Sequence, residues 1–270
     1  MPEGDTIARA AAVLHEALAG HTVTGFTTAL AHLARVDVDT PLAGQVIERC
    51  AAQGKHLLIT FSRGLVLRSH LRMHGSWHLY RPGERWQRPR HAMRIVIATA
   101  TRVAVGFNVP DAEFLRDADL ARARALTRLG PDLLARDADL SAIAARLVAE
   151  GPRPLGQALL DQRIAAGIGN VFRSELLFLA GLHPATACGA VTVEAVTAIV
   201  ANAARLLRVN TTPGIGTRNT TGRTAPGEAL WVYNRTSRPC RRCGTTIRSA
   251  ADGLESRRVY WCPACQPEGG

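Results

Sequence analysis

The sequence predicts an α+β protein: an N-terminal β-sandwich with one helix against it, then a helical region, then a short cysteine-rich hairpin. Three observations carry this. Alternating apolar positions broken by tight turns fill roughly residues 21–109. Ala- and Leu-rich helical spacing dominates from about residue 140 to 207. Two Cys-x₂-Cys pairs, Cys240/Cys243 and Cys262/Cys265, stand 18 residues apart near the C-terminus. A chain of 270 residues is long enough for two cores.

Taken in order, Ile7, Ala10, Ala11, Leu14 and Leu18 share one helical face, with Gly20 as the stop and Asp5 or Thr6 placed to cap the first turn. Residues 56–61 and 65–69 flank the turn Ser62-Arg63-Gly64, and 94–98 with 102–106 form a second alternating pair, as short sandwich strands do. Residues 80–89 read as a polar loop containing proline and arginine, and the stretch after Phe107 as a second loop. A linker is expected near Gly130-Pro131, with helices following at about 140–150, 155–165, 169–180 and 192–207. Residues 210–227, rich in Thr, Gly and Arg, read as a mobile loop of the kind that closes over a ligand. The expected domains are therefore 1–130, 131–236 and 237–270.

The formal charge is +11 and the pI about 10.5, which favours a polyanionic partner. Residues 205–258 alone hold eleven arginines against Glu228, Asp252 and Glu255, a net +8 that points to nucleic acid. No apolar run reaches the ~18 residues of a membrane span. No basic segment followed by an apolar core opens the chain, so a cytosolic location is expected.

The chemistry starts at Met1-Pro2-Glu3-Gly4-Asp5. Removal of Met1 would leave Pro2 as a secondary amine, and a chain-terminal amine titrates near ~8, so part of it is neutral and nucleophilic. Glu3 beside it can give or take a proton. Amine plus carboxyl is the minimum for making and breaking an iminium with a sugar carbon, although by themselves the same five residues more often mark a trimmed, disordered terminus. Of 33 basic residues only Lys55 is lysine, which marks a place where a compact ammonium on a flexible stem is wanted. The four cysteines have the spacing of a closed structural zinc site, with iron in the same sulfur cage as the alternative. Cys50 and Cys188 read as buried or incidental. Gly167-Ile168-Gly169-Asn170 opens a helix, where backbone N–H groups can receive a phosphate, or it is an ordinary turn. Between the cysteine pairs, Glu255-Ser256-Arg257-Arg258-Val259-Tyr260-Trp261 reads as a hairpin whose arginines suit bidentate phosphate contacts.

Together these motifs resemble one family. Pro-Glu-Gly at the start, Gln-Gly-Lys-His-Leu-Leu around Lys55, Ser-His-Leu-Arg-Met-His-Gly from Ser69, Leu-Leu-Asp-Gln-Arg through Asn170 and the terminal four-cysteine finger occur in the order found in the formamidopyrimidine-DNA glycosylase and endonuclease VIII family. Pro-Glu-Gly-Asp-Thr and the closing Tyr-Trp-Cys-Pro-Ala-Cys-Gln are most similar to the endonuclease VIII branch of high-GC bacteria.

The resemblance implies a helix–two-turn–helix domain in the second half and a bifunctional DNA glycosylase and abasic-site lyase acting on damaged double-stranded DNA as a monomer. It implies that Pro2 attacks the anomeric carbon, that Glu3 shuttles protons, and that β- and δ-elimination follow. It also implies that Lys55, Asn170 and Arg257 hold phosphates, that Arg72, Met73 and His74 fill the gap left by a flipped base, and that one structural zinc sits on Cys240, Cys243, Cys262 and Cys265.

Three departures qualify it. The 18 residues between the cysteine pairs exceed the family's usual spacing and imply a slightly longer hairpin. Thr6 stands where many members carry a second glutamate, with Asp5 a possible substitute. The segment after Phe107 lacks the Arg-Arg-Phe of the formamidopyrimidine branch, favouring oxidised pyrimidines as substrate. The alternatives are a non-catalytic damaged-DNA-binding protein of the same fold and, more remotely, a small-molecule enzyme using an N-terminal proline.

Overall fold

The structure, a computed structural model, describes residues 2–212, 218–252 and 257–268. The chain divides into two compact units, Met1–Arg128 and Leu129–Gly270.

In the first unit, α1 (Gly4–Leu18) buries Ile7, Ala11, Leu14 and Leu18, four of the five positions on the predicted stripe. Its N-cap is Glu3, not Asp5 or Thr6. The reason is that the Ile7 N–H already bonds the Glu3 carbonyl (3.1 Å), while the Thr6 hydroxyl turns to the Asp5 carboxylate (3.2 Å). Then follow β1 (Val23–Thr28), α2 (Ala31–Asp39), β2 (Ile47–Gln53), β3 (His56–Phe61), β4 (Leu65–His70), β5 (Ser76–Tyr80), β6 (Met93–Thr99), β7 (Val103–Phe107), β8 (Asp111–Arg116) and the single turn α3 (Arg124–Thr127).

Two antiparallel sheets, β1-β6-β7-β5 and β2-β3-β4-β8, form the sandwich. One core joins Leu57, Ile59 and Leu67 of the second sheet to Ile95, Ile97 and Ala104 of the first and to the α1 stripe. Helix α2 is absent from the strand reading because it buries only Leu33, too little to impose a 3.6-residue period on the sequence. Residues 111–116, read as loop, are an edge strand paired to β4 from His70↔Asp111 to Leu65↔Arg116.

In the second unit, α4 (Leu140–Val148) is capped by Asp139 on the Ala142 N–H, and α7 (Val193–Val209) by Thr192 on the Ala195 N–H. Between them lie α5 (Leu155–Ala158) and α6 (Asn170–Ala180), the latter ended by Gly181 at φ 72°. The helix expected over 155–165 stops after one turn. The Asp161 carboxylate accepts from the Arg163 N–H, and the Gln162 side chain serves Leu160 O, Ile168 O and Gly167 N, so local polar groups displace the helical ladder.

Gly130-Pro131, expected as a linker, is packed. Gly130 N–H bonds Gln162 O at 2.8 Å, and a Cβ there would sit 2.5 Å from Arg163 O. The C-terminal hairpin pairs β9 (Arg248–Ala251) with β10 (Arg258–Trp261). Among the described residues no helix is long and apolar enough to cross a membrane.

Candidate nucleic-acid interface and metal centre

Register brings three connections of the first unit to one end of one sheet. His56 pairs with His70 and His70 with Asp111, so the β2–β3 turn holding Lys55, the 71–75 loop and the entry to β8 lie side by side. Gly54 makes the turn before Lys55 at φ 57°. Arg68, 4% exposed, binds this end together: its guanidinium donates to Glu113 Oε1 (2.6 Å), Asp111 Oδ1 (2.5 Å) and His56 Nδ1 (3.0 Å).

Burial, the His70 ring and Arg68 push His56 down to about 3. Burial with the Arg72 charge pushes His70 down to about 4. Burial alone would raise Asp111, but the Arg68 hydrogen bond and the Arg68, Arg72 and His70 charges outweigh it and hold the carboxyl below its ordinary value. Both imidazoles are therefore neutral at pH 7, and the positive charge of this end rests on Lys55, Arg68 and Arg72.

The 71–75 loop is a tight outward turn. Gly75 N–H bonds Leu71 O at 2.8 Å, and a Cβ on Gly75 would fall 2.6 Å from that oxygen, so only glycine closes it. Arg72, Met73 and His74 are pushed into solvent, Arg72 at φ 50° with one guanidinium nitrogen 3.6 Å from Asp111. Met73 is 47% exposed, unlike a methionine that fills a core. Pro2 is half-buried where α1 begins, and Glu3 is fully buried beside it.

The second unit gathers its own set. Asn170 opens α6 after Gly169 and is 4% exposed. Its amide donates to Arg258 O (3.0 Å) and accepts from Arg173, which also pairs with Asp252 at the end of β9. Helix start and hairpin are thus bonded to each other, and half-buried Arg257 immediately precedes the ladder that begins at Arg258↔Ala251. Residues 253–256, within the predicted hairpin, lie outside the described residues, as do 213–217 of the expected covering loop. The base of that loop is tied down: fully buried Asn210 donates to Asn219 O (2.9 Å) and accepts from its N–H (2.7 Å).

Cys240, Cys243, Cys262 and Cys265 converge, all four sulfurs within 4.8 Å of one another and three pairs at 3.5–4.0 Å. A tetrahedral ion with Zn–S bonds of about 2.3 Å sets its sulfurs roughly 3.8 Å apart, so the donor set fits a metal. The Arg242 N–H points at the Cys240 sulfur (3.4 Å). Buried Gln266 accepts from Cys262 N–H and donates to Leu182 O, fastening the knuckle to the segment after α6. Cys50 and Cys188 are buried elsewhere, and burial pushes the Cys50 thiol up to about 12.

Family profiles match in sequence order: the formamidopyrimidine-DNA glycosylase N-terminal domain over residues 1–116 and the formamidopyrimidine-DNA glycosylase H2TH domain over 129–221. The chain belongs to the formamidopyrimidine-DNA glycosylase and endonuclease VIII family. It is 44% identical to the probable endonuclease 8 2 of Streptomyces coelicolor (98% of this chain, 94% of that one). It is 41% identical to the DNA-(apurinic or apyrimidinic site) lyase Nei2 of Mycolicibacterium smegmatis (98% and 99%) and 33% identical to endonuclease 8 of Escherichia coli (98% and 100%). A Lactococcus lactis formamidopyrimidine-DNA glycosylase bound to abasic-site DNA superposes with a TM-score of 0.82 at 20% identity, covering 98% of this chain and 100% of that one, a likeness of fold.

Several residues that organise this glycosylase-family site escaped sequence reading. Arg173 and Asp252 join helix to hairpin, and Arg68 stitches β3, β4 and β8. Fully buried Glu175 accepts from the N–H groups of Trp231 (2.8 Å), Val232 and Tyr233 (both 2.9 Å) and from the Thr220 hydroxyl. The signal was a charge within an apolar helix, Arg-Ser-Glu-Leu-Leu-Phe, where an ionised group needs buried partners.

Proposed function

We propose that Pro2, Glu3 and Lys55 carry the chemistry of this chain, a bifunctional DNA glycosylase and abasic-site lyase of base-excision repair. The observation that supports this best is the pairing, at the start of α1, of half-buried Pro2 with a fully buried carboxyl group on Glu3. A proline nitrogen attacking the anomeric carbon displaces the damaged base and opens the sugar as an iminium. Glu3 protonates the ring oxygen as it leaves and then moves protons through β- and δ-elimination, cutting the strand on both sides of the lost sugar. Lys55 holds a phosphate next to the lesion, supported by its place beside the exposed 71–75 loop.

Damaged double-stranded DNA is the partner, bound by a monomer, and oxidised pyrimidines are the favoured lesions. Arg72, Met73 and His74 enter the stack when the damaged nucleotide flips out, a role that the solvent-facing turn suits. Asn170 and Arg257 clamp neighbouring phosphates. Cys240, Cys243, Cys262 and Cys265 hold one structural Zn²⁺, which stiffens the hairpin and leaves no position open for water. The working modules are 1–130, 131–236 and 237–270, and the protein acts in the cytosol.

Borohydride trapping on an abasic-site duplex tests the reading. A covalent adduct that disappears in Pro2→Gly supports it. Binding without an adduct would favour the non-catalytic alternative.

A further inference from the structure

The chain between β5 and β6 has an unusual task. Tyr80 pairs at the Val103 end of β7, whereas Met93 pairs at its Phe107 end. Strands β5 and β6 therefore run parallel on either side of β7, and residues 81–92 must travel back along it, about 14 Å by strand rise and two strand spacings across. They do so as a mostly irregular strap across the outer face of the sheet, with one 3₁₀ turn at its end (Arg90–Ala92).

One side chain fastens the strap. Between residues 81 and 91 only Trp86 is turned inward. Its ring meets Phe107 edge-on at 5.6 Å and Tyr80 at 6.5 Å, in a cluster with Val105 and Ala92 separate from the main core. The ends are set by hydrogen bonds: Arg81 N–H to Glu84 Oε2 (2.8 Å), Gln87 N–H to the Tyr80 hydroxyl (3.1 Å) and Ala92 N–H to Pro89 O (3.0 Å).

The other side is basic. Arg81, Arg85, Arg88 and Arg90 against Glu84 give residues 81–90 a charge of +3. All five are exposed, and residues 83–90 wall a concave surface of about 580 Å³. Arg85, Arg88 and Arg90 form no ion pair among the described residues. Arg90 lies over the Trp86 ring at 5.6 Å. Exposed guanidinium groups carried on a backbone anchored by an aromatic cluster suit phosphate oxygens, which a planar fork can hold bidentately. The strap re-enters the sheet at Met93, level with Ser76 but on the far side of β7, so its end and the 71–75 loop proposed to enter DNA share one end of this sheet.

We propose that this strap is a second duplex-binding surface, a phosphate track for the sugar-phosphate backbone of double-stranded DNA beyond the damaged nucleotide. It rests on the chain's being a DNA enzyme, but not on Pro2 being the nucleophile.

The test uses the full chain, the double variant Arg85→Gln/Arg88→Gln, and duplexes of about 11 and about 31 base pairs carrying a central reduced abasic site, with dissociation constants followed from about 0.05 to 0.3 M salt. On the long duplex the variant should bind about tenfold more weakly, with its salt slope reduced by about 2, since each phosphate that an arginine neutralises adds roughly 0.9 to the slope. An undamaged long duplex should show the same weakening. On the short duplex, affinity and borohydride trapping at a natural abasic site should match wild type. Equal slopes on the long duplex, or equal weakening at both lengths, would overturn the proposal, as would an effect confined to single-stranded DNA. Failure of the wild-type chain to trap would instead sink the Pro2 mechanism, while the undamaged-duplex comparison still decides the strap.

Discussion

Replacing Glu175 should separate the cysteine-rich module from the helices more effectively than replacing any surface arginine. Its two oxygens take three backbone N–H groups from Trp231, Val232 and Tyr233 and one hydroxyl from Thr220, all around a fully buried carboxyl. These three residues lead directly into the knuckle, and Val232 shares a small core with Phe178, Cys240, Ile247, Tyr260 and Cys262.

In Glu175→Ala the Thr220 hydroxyl keeps Ala229 O (3.3 Å), but the three N–H groups lose their acceptor. Each buried orphan donor costs about 1–3 kcal/mol, so the variant should lose roughly 3–9 kcal/mol. Glu175→Gln keeps one accepting oxygen and turns an amide toward the remaining donors, costing about 2 kcal/mol by the same reasoning. Urea unfolding gives the totals. Hydrogen exchange locates them, with the amides of 231–233 losing protection before those of the sandwich. An alanine variant within about 1 kcal/mol of wild type, with those amides still protected, would refute the reasoning.

Further outcomes follow from the same geometry. Lys55→Ala and Arg257→Ala should each weaken DNA binding and lower the salt slope by about one, and an unchanged slope would remove that residue from the phosphate clamp. His56 and His70 are held far below the value they have in an unfolded chain. The unfolded state therefore binds their protons first, and stability is full above about pH 6.5 and falls as pH drops toward 4. Two such groups give a slope of up to about 2.7 kcal/mol per pH unit, which His56→Gln should roughly halve in urea titrations at stepped pH. Stripping the metal with a chelator, or Cys262→Ser, should cost the β9–β10 hairpin its exchange protection and weaken DNA binding. Metal analysis of the purified protein should return about one zinc per chain, and iron in its place would correct the assignment.

The sandwich was legible because short, mostly apolar runs flank tight turns: 56–61 and 65–69, on either side of Ser62-Arg63-Gly64, match β3 and β4 almost to the residue. The four cysteines were legible because two Cys-x₂-Cys pairs are a metal-ligand spacing, and their sulfurs do converge. What escaped depends on tertiary partners. Helix α2 has one buried leucine and no stripe to find, and β8 is an edge strand whose sequence, Asp-Ala-Glu-Phe-Leu-Arg, mixes charge with apolar residues. The end of α5 is decided by what the Asp161 and Gln162 side chains accept and donate, which the composition of 155–165 does not reveal. Of the proposed site, Pro2, Glu3 and Lys55 stood out through chemistry or rarity. Arg68, Arg173 and Glu175 are ordinary letters until strands and helices meet around them.

The proline mechanism can be tested with few competing amines, because the sequence contains a single lysine. Borohydride reduction on an abasic-site duplex, followed by proteolysis and mass spectrometry, locates the carbon–nitrogen bond. The sugar remnant should ride on the peptide that begins with Pro2. A remnant on the peptide containing Lys55, or normal strand cutting by protein that retains Met1, would contradict the account.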